Sequence, residues 1–200
     1  MSYLVVEGPI GAGKTSLSQI LADNMQARLI LEVVEENPFL EGFYRDRAAN
    51  AFKAQLFFLL SRYKQLQEIR QGTLFNHHTI SDYSFDKDVI FASLNLSGAE
   101  WELYRELYEQ LRPKVVAPDL TVYLRAQPEL LLERIRKRGR SFEAAIDETY
   151  LRQLGEAYDR HFEAYARPLH VIEAAQCDFV SNRADRQRVV AEIVHLARAA

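Results

Sequence analysis

Residues 8–15 read GPIGAGKT, which matches the phosphate-loop pattern G-x-x-x-x-G-K-[S/T]. The short apolar run Tyr3–Val6 precedes this stretch and predicts a strand, and residues 16–24 follow it with helical composition. The glycines let the backbone turn tightly, so that several N–H groups converge on phosphate oxygens, and the helix N-terminus adds its partial positive charge. The alternative is a glycine-rich turn with a chance Lys-Thr pair. Because both flanks fit, we predict a site for a nucleoside triphosphate.

Two side chains of the loop carry its chemistry. Lys14 would bring a positive charge close to the β and γ phosphates, and the Thr15 hydroxyl is suited to Mg²⁺. The residues that we predict to bind the nucleoside triphosphate are Gly8, Pro9, Ile10, Gly11, Ala12, Gly13, Lys14, Thr15 and Ser16.

The composition predicts one globular domain over residues 1–200, since 48% of the 200 residues are hydrophobic and allow a substantial core. The net charge of −3 gives no footprint for nucleic acid, and no apolar run approaches the roughly 20 residues of a membrane span. Cys177 is the only cysteine, which excludes an intramolecular disulfide and agrees with a reducing, cytoplasmic location. The first strand candidate begins at Tyr3, so we expect no signal peptide.

Strand and helix candidates alternate along the chain. The predicted strands are Tyr3–Val6, Leu29–Val33, Thr79–Ser81, Leu120–Leu124 and His170–Ile172. The predicted helices are Thr15–Asn24, Ala48–Ile69, Ala99–Leu111, Pro128–Lys137, Glu148–Ala166 and Arg183–Ala197. This alternation predicts an α/β fold, a five-stranded parallel sheet with helices on both faces. Ligands bind such sheets at the carboxyl ends of the strands, where Glu32 and Asp82 follow the second and third strands.

The helix predicted over residues 48–69 is apolar over most of its circumference, so we expect it to be buried. Gln55 and Arg62 are seven residues apart and therefore share a face, which Tyr44 would join if the helix began early. An unpaired buried amide or guanidinium costs about 1–3 kcal/mol or more, so both polar groups need partners. A polar ligand is one candidate. The equally good alternative is that the partners lie within the protein, with Gln55 capping a loop and Arg62 pairing with a core carboxylate.

Arginines are concentrated between residues 134 and 140. Arg134 and Arg138 are four residues apart on a helix that ends near Gly139, and Arg140 follows. Such charges repel one another unless an anion lies nearby, and guanidinium forks suit phosphate oxygens. The alternative is a solvated basic helix end that the helix dipole favours. Beside a phosphate loop, we favour an arginine-rich lid over residues 134–146.

Together these segments resemble the deoxynucleoside kinase family over nearly the whole chain. Residues 7–15 match the family's phosphate loop, and Glu32-Val-Val-Glu35 resembles its Glu-Pro-Val-Glu segment. In the family, the first glutamate of that segment takes the proton from the nucleoside 5′-hydroxyl. The resemblance therefore implies that Glu32 is the catalytic base.

The resemblance also implies how the nucleoside is bound. Gln55 and Arg62 are similar to a glutamine that bonds the base edge and an arginine close to it, and Tyr44 stands at the spacing of a tyrosine that contacts the 3′-hydroxyl. The segment Arg134–Glu143 resembles the family lid, in which arginines clamp the phosphates and the glutamate meets the 3′-hydroxyl. The implied catalytic cations are Lys14, Arg134, Arg138 and Arg140.

One motif departs from the family pattern. The family has Asp/Glu-Arg-Ser after the third strand, and this chain has Asp82-Tyr83-Ser84. Asp82 would still serve Mg²⁺ together with Thr15, but the arginine that supports the 5′-hydroxyl and the catalytic glutamate is missing. Some bacterial purine deoxynucleoside kinases resemble this chain here. Asp88 aligns with the family's base-reading aspartate, and an exposed residue at a helix start is the alternative.

The resemblance implies ATP-dependent phosphorylation of a deoxynucleoside 5′-hydroxyl, with Mg²⁺, a purine base favoured, and a homodimer. One alternative is a nucleoside monophosphate kinase of the thymidylate type, but those enzymes need an Asp-Arg motif where Tyr83 stands. Another is a switch protein that hydrolyses ATP, for which Glu32, Gln55 and the lid have no obvious use. ATP or GTP as the phosphate donor is left open.

Overall fold

The structure is a computed structural model that describes residues 2–70 and 78–199. Its strands are β1 (Ser2–Glu7), β2 (Arg28–Ile30), β3 (His78–Ser81), β4 (Leu120–Arg125) and β5 (Leu169–Glu173). They form one parallel sheet in the order β2-β3-β1-β4-β5. The predicted five-stranded parallel sheet is confirmed.

Helices cover both faces of this sheet. They are α1 (Lys14–Met25), α2 (Leu40–Arg45), α3 (Arg47–Arg70), α4 (Asp86–Asn95), α5 (Gly98–Leu111), α6 (Pro128–Arg138), α7 (Glu148–Glu163) and α8 (Arg183–Ala199). Short 3₁₀ turns span Val34–Glu36, Arg112–Lys114 and Ser141–Glu143. No helix in the described ranges combines the length and the apolar character that crossing a bilayer requires.

The central strand shows why the sheet is covered on both sides. Leu4 and Val6 of β1 pack into a core with α1, α6 and α8, whereas Tyr3 and Val5 pack into a second core with α3, α4 and α5. All four side chains are buried, as is typical of parallel strands that are enclosed by helices. This double burial leaves only the ends of the strands for binding.

The second strand is shorter than predicted. It ends at Ile30 rather than Val33, because the chain leaves the sheet after Ile30. The Ile30 carbonyl still accepts from the N–H of Asp82, but the N–H of Glu32 donates to the Asp82 carboxylate, Oδ1, at 2.8 Å. Glu32 therefore lies beyond the carboxyl end of the strand, which frees its side chain for a site.

The long helix predicted to start at Ala48 does not extend back to Tyr44. Asp46 separates α2 from α3 in an extended conformation, and its side chain accepts from the N–H of Ala49 at 3.2 Å. This is the hydrogen bond of a helix N-cap, and it explains the break. The prediction that α3 is buried holds for only part of its surface: Leu59 is buried, whereas Leu60 is 52% exposed.

Candidate active site

One pocket lies at the carboxyl ends of β1, β2 and β3, beneath the residues that follow α6. Its walls are formed by Ile10, Gly11, Lys14, Thr15, Glu32, Val34, Leu40, Phe43, Tyr44, Ala54, Gln55, Phe58, Arg62, Asp82, Lys87, Phe91, Arg138, Arg140 and Glu143. Most of the predicted site residues are thus brought together. Outside the wall lie the predicted residues Gly8, Pro9, Ala12, Gly13, Ser16, Asp88 and Arg134.

The phosphate loop needs glycine at its first two glycine positions. Gly8 has a φ of 149°, and a Cβ there would lie 2.5 Å from the carbonyl oxygen of Leu124. Gly11 has a φ of 86°, and its Cβ would lie 2.8 Å from the carbonyl oxygen of Leu131. Both the backbone conformation and the close approach of β4 and α6 exclude larger residues.

Replacing Gly8 by alanine is expected to lower the free energy of unfolding by about 3 kcal/mol, since backbone strain and a steric clash add together. Gly98 is a matched control, because it also has a positive φ, 54°, but has open space where a Cβ would lie. Gly98→Ala should cost only about 1 kcal/mol. Denaturant unfolding of the two variants measures the difference, and equal losses would show that packing against β4 adds nothing.

Asp82 links the phosphate loop to the segment after β2. The Thr15 hydroxyl donates to Asp82 Oδ2 at 2.5 Å, while Asp82 Oδ1 accepts the N–H of Glu32. The predicted Mg²⁺ ligands Thr15 and Asp82 are therefore in contact. Both offer oxygen atoms, the type of ligand that Mg²⁺ prefers, so the residues present fit such an ion.

Lys14 lies inside the phosphate loop, where its Nζ donates to the Pro9 carbonyl at 3.0 Å. Burial lowers the pKa of Lys14 to about 8, and the positive charge of Lys87 lowers it further, against the opposing effect of nearby carboxylates. A cation held in this way attracts an anion strongly, because phosphate oxygens would supply the negative charge that the loop lacks.

Glu32 is clamped by two cations. Arg62 donates to Glu32 Oε1 through its Nε at 3.0 Å and through a second guanidinium nitrogen, and Lys87 Nζ binds Oε2. Burial by itself would raise the pKa of Glu32, but the charges of Lys87 and Arg62 and their hydrogen bonds outweigh it and hold this pKa well below its usual range. The side chain is therefore a fixed carboxylate.

Arg62 also reaches a second carboxylate. Its guanidinium binds Asp88 Oδ1, so the pairing of Arg62 with a core carboxylate is observed. Asp88 is fully buried rather than exposed at a helix start, and its Oδ2 has no hydrogen-bond partner among the described residues. Burial raises the pKa of Asp88 to about 7, against the opposing effect of Arg62. Asp88 lies behind Arg62, outside the pocket wall.

Gln55 is a buried amide on the pocket wall. Only 3% of it is exposed, and its Oε1 finds no partner in the described part of the chain. The alternative that Gln55 caps a loop is therefore not what the structure shows. An amide oxygen left unpaired beside a pocket is suited to a donor group of a ligand.

Replacing Gln55 by leucine is expected to raise the free energy of unfolding of the ligand-free protein by about 1–2 kcal/mol, because an unsatisfied buried oxygen is removed. The resemblance implies that Gln55 pairs with the base edge of a nucleoside, so the KM for the nucleoside should rise at least about tenfold. Unfolding and steady-state assays measure both effects. The exposed Gln153 of α7 gives the control variant Gln153→Leu, which should change neither quantity.

The sugar-reading residues that the resemblance implies lie close together. The ring of Tyr44 stacks on Phe142, with 6.1 Å between ring centroids, and Phe142 is the neighbour of Glu143. Glu143 is only 4% exposed, and both of its oxygens lie 2.6 Å from one guanidinium nitrogen of Arg138. Residues following α6 thus close the pocket over α2.

The three predicted lid arginines have different surroundings. Arg138 and Arg140 line the pocket, and Arg140 also pairs with Glu35 at 2.8 Å. Arg134 instead donates to the Ala12 carbonyl at 2.9 Å and to the Ala174 carbonyl at 3.3 Å. In this structure Arg134 supports the phosphate loop from outside the pocket.

Lys87 is a site residue that the sequence analysis missed. It lies on the first turn of α4, a helix that was not predicted, and 5% of it is exposed. One signal in the sequence could have pointed to it. The arginine that supports the catalytic glutamate is missing at Tyr83, and Lys87 is the lysine nearest to Tyr83 in the sequence. Periodicity alone gives no such signal.

Fold and pocket together place the chain among the P-loop kinases. A family model described as deoxynucleoside kinase matches residues 4–198, so the chain belongs to the deoxynucleoside kinase family. It is 36% identical over 200 residues to the deoxyguanosine kinase of Bacillus subtilis, covering 97% of each chain. It is 31% identical to the deoxyadenosine kinase of Lactobacillus acidophilus, covering 96% of this chain and 95% of that one.

Solved structures agree with this assignment. Deoxyadenosine kinase from M. mycoides with the products dCMP and a flexible dCDP superposes with a TM-score of 0.84 at 26% identity, covering 96% of this chain and 99% of that chain. The same enzyme with bound dATP gives a TM-score of 0.83 at 26% identity over the same shares. The predicted P-loop kinase fold and deoxynucleoside kinase activity are confirmed.

Proposed function

We propose that this chain transfers the γ phosphate of ATP to the 5′-hydroxyl of a purine deoxynucleoside in nucleotide salvage. The observation that carries the proposal is one pocket whose wall holds the phosphate loop, a clamped and ionised Glu32, and Gln55, whose Oε1 has no partner among the described residues. Relatives named deoxyguanosine and deoxyadenosine kinases support a purine. The Asp82-Tyr83 departure is the second support, because it resembles the bacterial purine subgroup.

Glu32 would accept a hydrogen bond from the 5′-hydroxyl and so orient the 5′-oxygen toward the γ phosphorus. Because Lys87 and Arg62 depress the pKa of this carboxylate, it is a weak base before the new bond forms. The proton would therefore move late, once bonding to phosphorus makes the attacking oxygen acidic. Most of the gain comes from positioning, since the clamp fixes the carboxylate in one orientation.

Thr15 and Asp82 would hold Mg²⁺ through their side-chain oxygens. When bound, the ion neutralises charge on the β and γ phosphates. Lys14 would place a fixed positive charge beside the same phosphates. Arg138 and Arg140 add positive charge from the lid, and Arg134 contributes by holding the phosphate loop through Ala12.

The acceptor would be read at two ends. Tyr44 and Glu143 would contact the 3′-hydroxyl. At the other end, Gln55 would pair with the base edge, and Asp88 would act on the base through Arg62, since it lies behind that guanidinium.

We also propose that the enzyme works in the cytoplasm as a homodimer. Leu60 of α3 is 52% exposed and Leu103 of α5 is 49% exposed, which supports packing of these helices against a second copy. The single cysteine, Cys177, supports a reducing compartment.

The test is a steady-state assay with Mg·ATP and separate acceptors: deoxyadenosine, deoxyguanosine, deoxycytidine, thymidine and thymidine monophosphate. We expect turnover on the nucleosides, fastest with a purine. Turnover on the monophosphate alone would assign the chain to the thymidylate-type kinases. Loss of ATP at equal rates with and without acceptor would favour an ATP-hydrolysing switch.

A further inference from the structure

The residue at the position of the missing motif arginine brings no positive charge to the active site, although the Tyr83 ring lies 5.9 Å from the Arg62 guanidinium. Tyr83 is fully buried, and its hydroxyl donates to Gln65 Oε1 of α3 at 2.6 Å, away from the pocket. Tyr83 is absent from the pocket wall. Whatever replaces the arginine's positive charge must therefore come from another residue.

Lys87 supplies a cation beside Glu32. Its Nζ binds Glu32 Oε2, the oxygen that Arg62 leaves free, and the side chains of Lys87 and Glu32 are 6% and 12% exposed. The side chain lies on the pocket wall with Lys14, whose pKa is lowered by burial and further by the Lys87 charge. Lys87 therefore shares one pocket with the carboxylate that it binds and with the phosphate-loop lysine.

The ammonium group has hydrogen-bonding capacity to spare. It carries three N–H donors, and within the described residues Glu32 is its sole hydrogen-bond acceptor. Burying a cation is costly unless its charge and its donors are satisfied, so a pocket oxygen is the expected additional partner. An oxygen that is hydrogen-bonded to Glu32 would lie beside the same ammonium.

We propose that Lys87 replaces the motif arginine, by fixing Glu32 through Oε2 and by donating a hydrogen bond to the 5′-oxygen of the acceptor. This inference rests on the proposed function. As the 5′-oxygen bonds to the γ phosphorus, the bond from that phosphorus to the β–γ bridging oxygen breaks, ADP leaves, and the proton passes to Glu32. Lys87 keeps positive charge beside the attacking oxygen throughout. On the Oε2 side of Glu32, neither Glu32 nor Arg62 offers a hydrogen-bond donor to the 5′-oxygen.

The first test is Lys87→Met, which keeps the length of the side chain and removes the charge. We expect kcat to fall about 100-fold, as when one preorganised donor is lost, while the KM for nucleoside and for ATP changes less than about threefold. Lys87→Arg should retain kcat to within about tenfold, because it restores a cation. Lys114→Met, at an exposed lysine of the Arg112–Lys114 turn, is the control and should behave as the parent.

A merely structural role for Lys87 would give a different pattern. Lys87→Met would then lose thermal stability and folded fraction, with a normal kcat per folded molecule. Lys87→Gln separates charge from hydrogen bonding: an uncharged donor should be nearly as defective as methionine. Full kcat in folded Lys87→Met or in Lys87→Gln would overturn the proposal.

The sharper test exchanges the two positions. Tyr83→Arg added to Lys87→Met should recover at least about tenfold in kcat, because the arginine returns to its family position. If that double variant does not fold, the comparison of Lys87→Arg with Lys87→Gln decides instead. A parent enzyme without deoxynucleoside kinase activity would refute the proposed function, whereas an active parent with an equally active Lys87→Met variant would refute only the inference about Lys87.

Discussion

Replacing Glu32 by glutamine is expected to lower kcat about a thousandfold, while the KM for the nucleoside changes less than about threefold. The amide retains an oxygen that accepts from Arg62, but its NH2 group cannot accept from Lys87 as Oε2 of Glu32 does. It has no carboxylate to orient and accept the 5′ proton, and the loss therefore falls on the transition state. Steady-state kinetics on deoxyguanosine, with saturating Mg·ATP, measure both constants.

Glu36 provides the control for this variant. It lies in the same segment, at the end of the Val34–Glu36 turn, where it is exposed and absent from the pocket wall. Glu36→Gln should keep the parent kcat. If Glu32→Gln also keeps it, Glu32 has no role as the base.

Replacing Lys14 by methionine has the second large effect that we expect, a fall in kcat/KM for ATP of about 10³-fold. The reason is electrostatic: Lys14 is the fixed cation inside the phosphate loop, and methionine fills similar space without charge. The variant should fold normally, since the bond to the Pro9 carbonyl is the one hydrogen bond that the side chain loses among the described residues.

The control is again Lys114→Met, which removes an exposed lysine outside the pocket and should leave kcat/KM for ATP unchanged. If kcat/KM for ATP falls less than tenfold in Lys14→Met, the lid arginines rather than Lys14 supply most of the positive charge that stabilises the phosphates.

Much of the fold follows from local pattern. The phosphate loop has strict spacing and strict glycine requirements, and β1 is an apolar run because both of its faces are buried. The prediction of β2 was too long, because Leu29–Val33 is apolar enough for a strand but its end is decided by the contact of Glu32 with Asp82. Such tertiary hydrogen bonds leave no periodic trace in the sequence.

The two short helices show a similar limit. The six residues of α2 and the ten of α4 are too few to show a clear amphipathic period. Because α2 was not predicted, the sequence left open whether Tyr44 continues the face of Gln55 on one helix; the two residues lie on separate helices, and both line the pocket. Missing α4 hid Lys87, whose position beside Glu32 depends on where that helix starts.

Polar residues at strand ends were the best guide to the site. Glu32, Asp82 and the phosphate loop meet because carboxyl ends of parallel strands share one edge. Sequence reasoning left two explanations for Arg62 open, a ligand and a core carboxylate. The structure shows carboxylate partners that are themselves candidate site residues. Only three-dimensional contact could have shown that the two explanations are compatible.

The most direct test of the central claim compares two acceptors with radiolabelled [γ-³²P]ATP. Deoxyguanosine carries the 5′-hydroxyl, and 2′,5′-dideoxyguanosine has the same base and 3′-hydroxyl without it. We predict that label appears as deoxyguanosine 5′-monophosphate with the first acceptor and stays in ATP with the second. Equal labelling of both acceptors, or release of free phosphate regardless of acceptor, would contradict phosphoryl transfer to the 5′-hydroxyl.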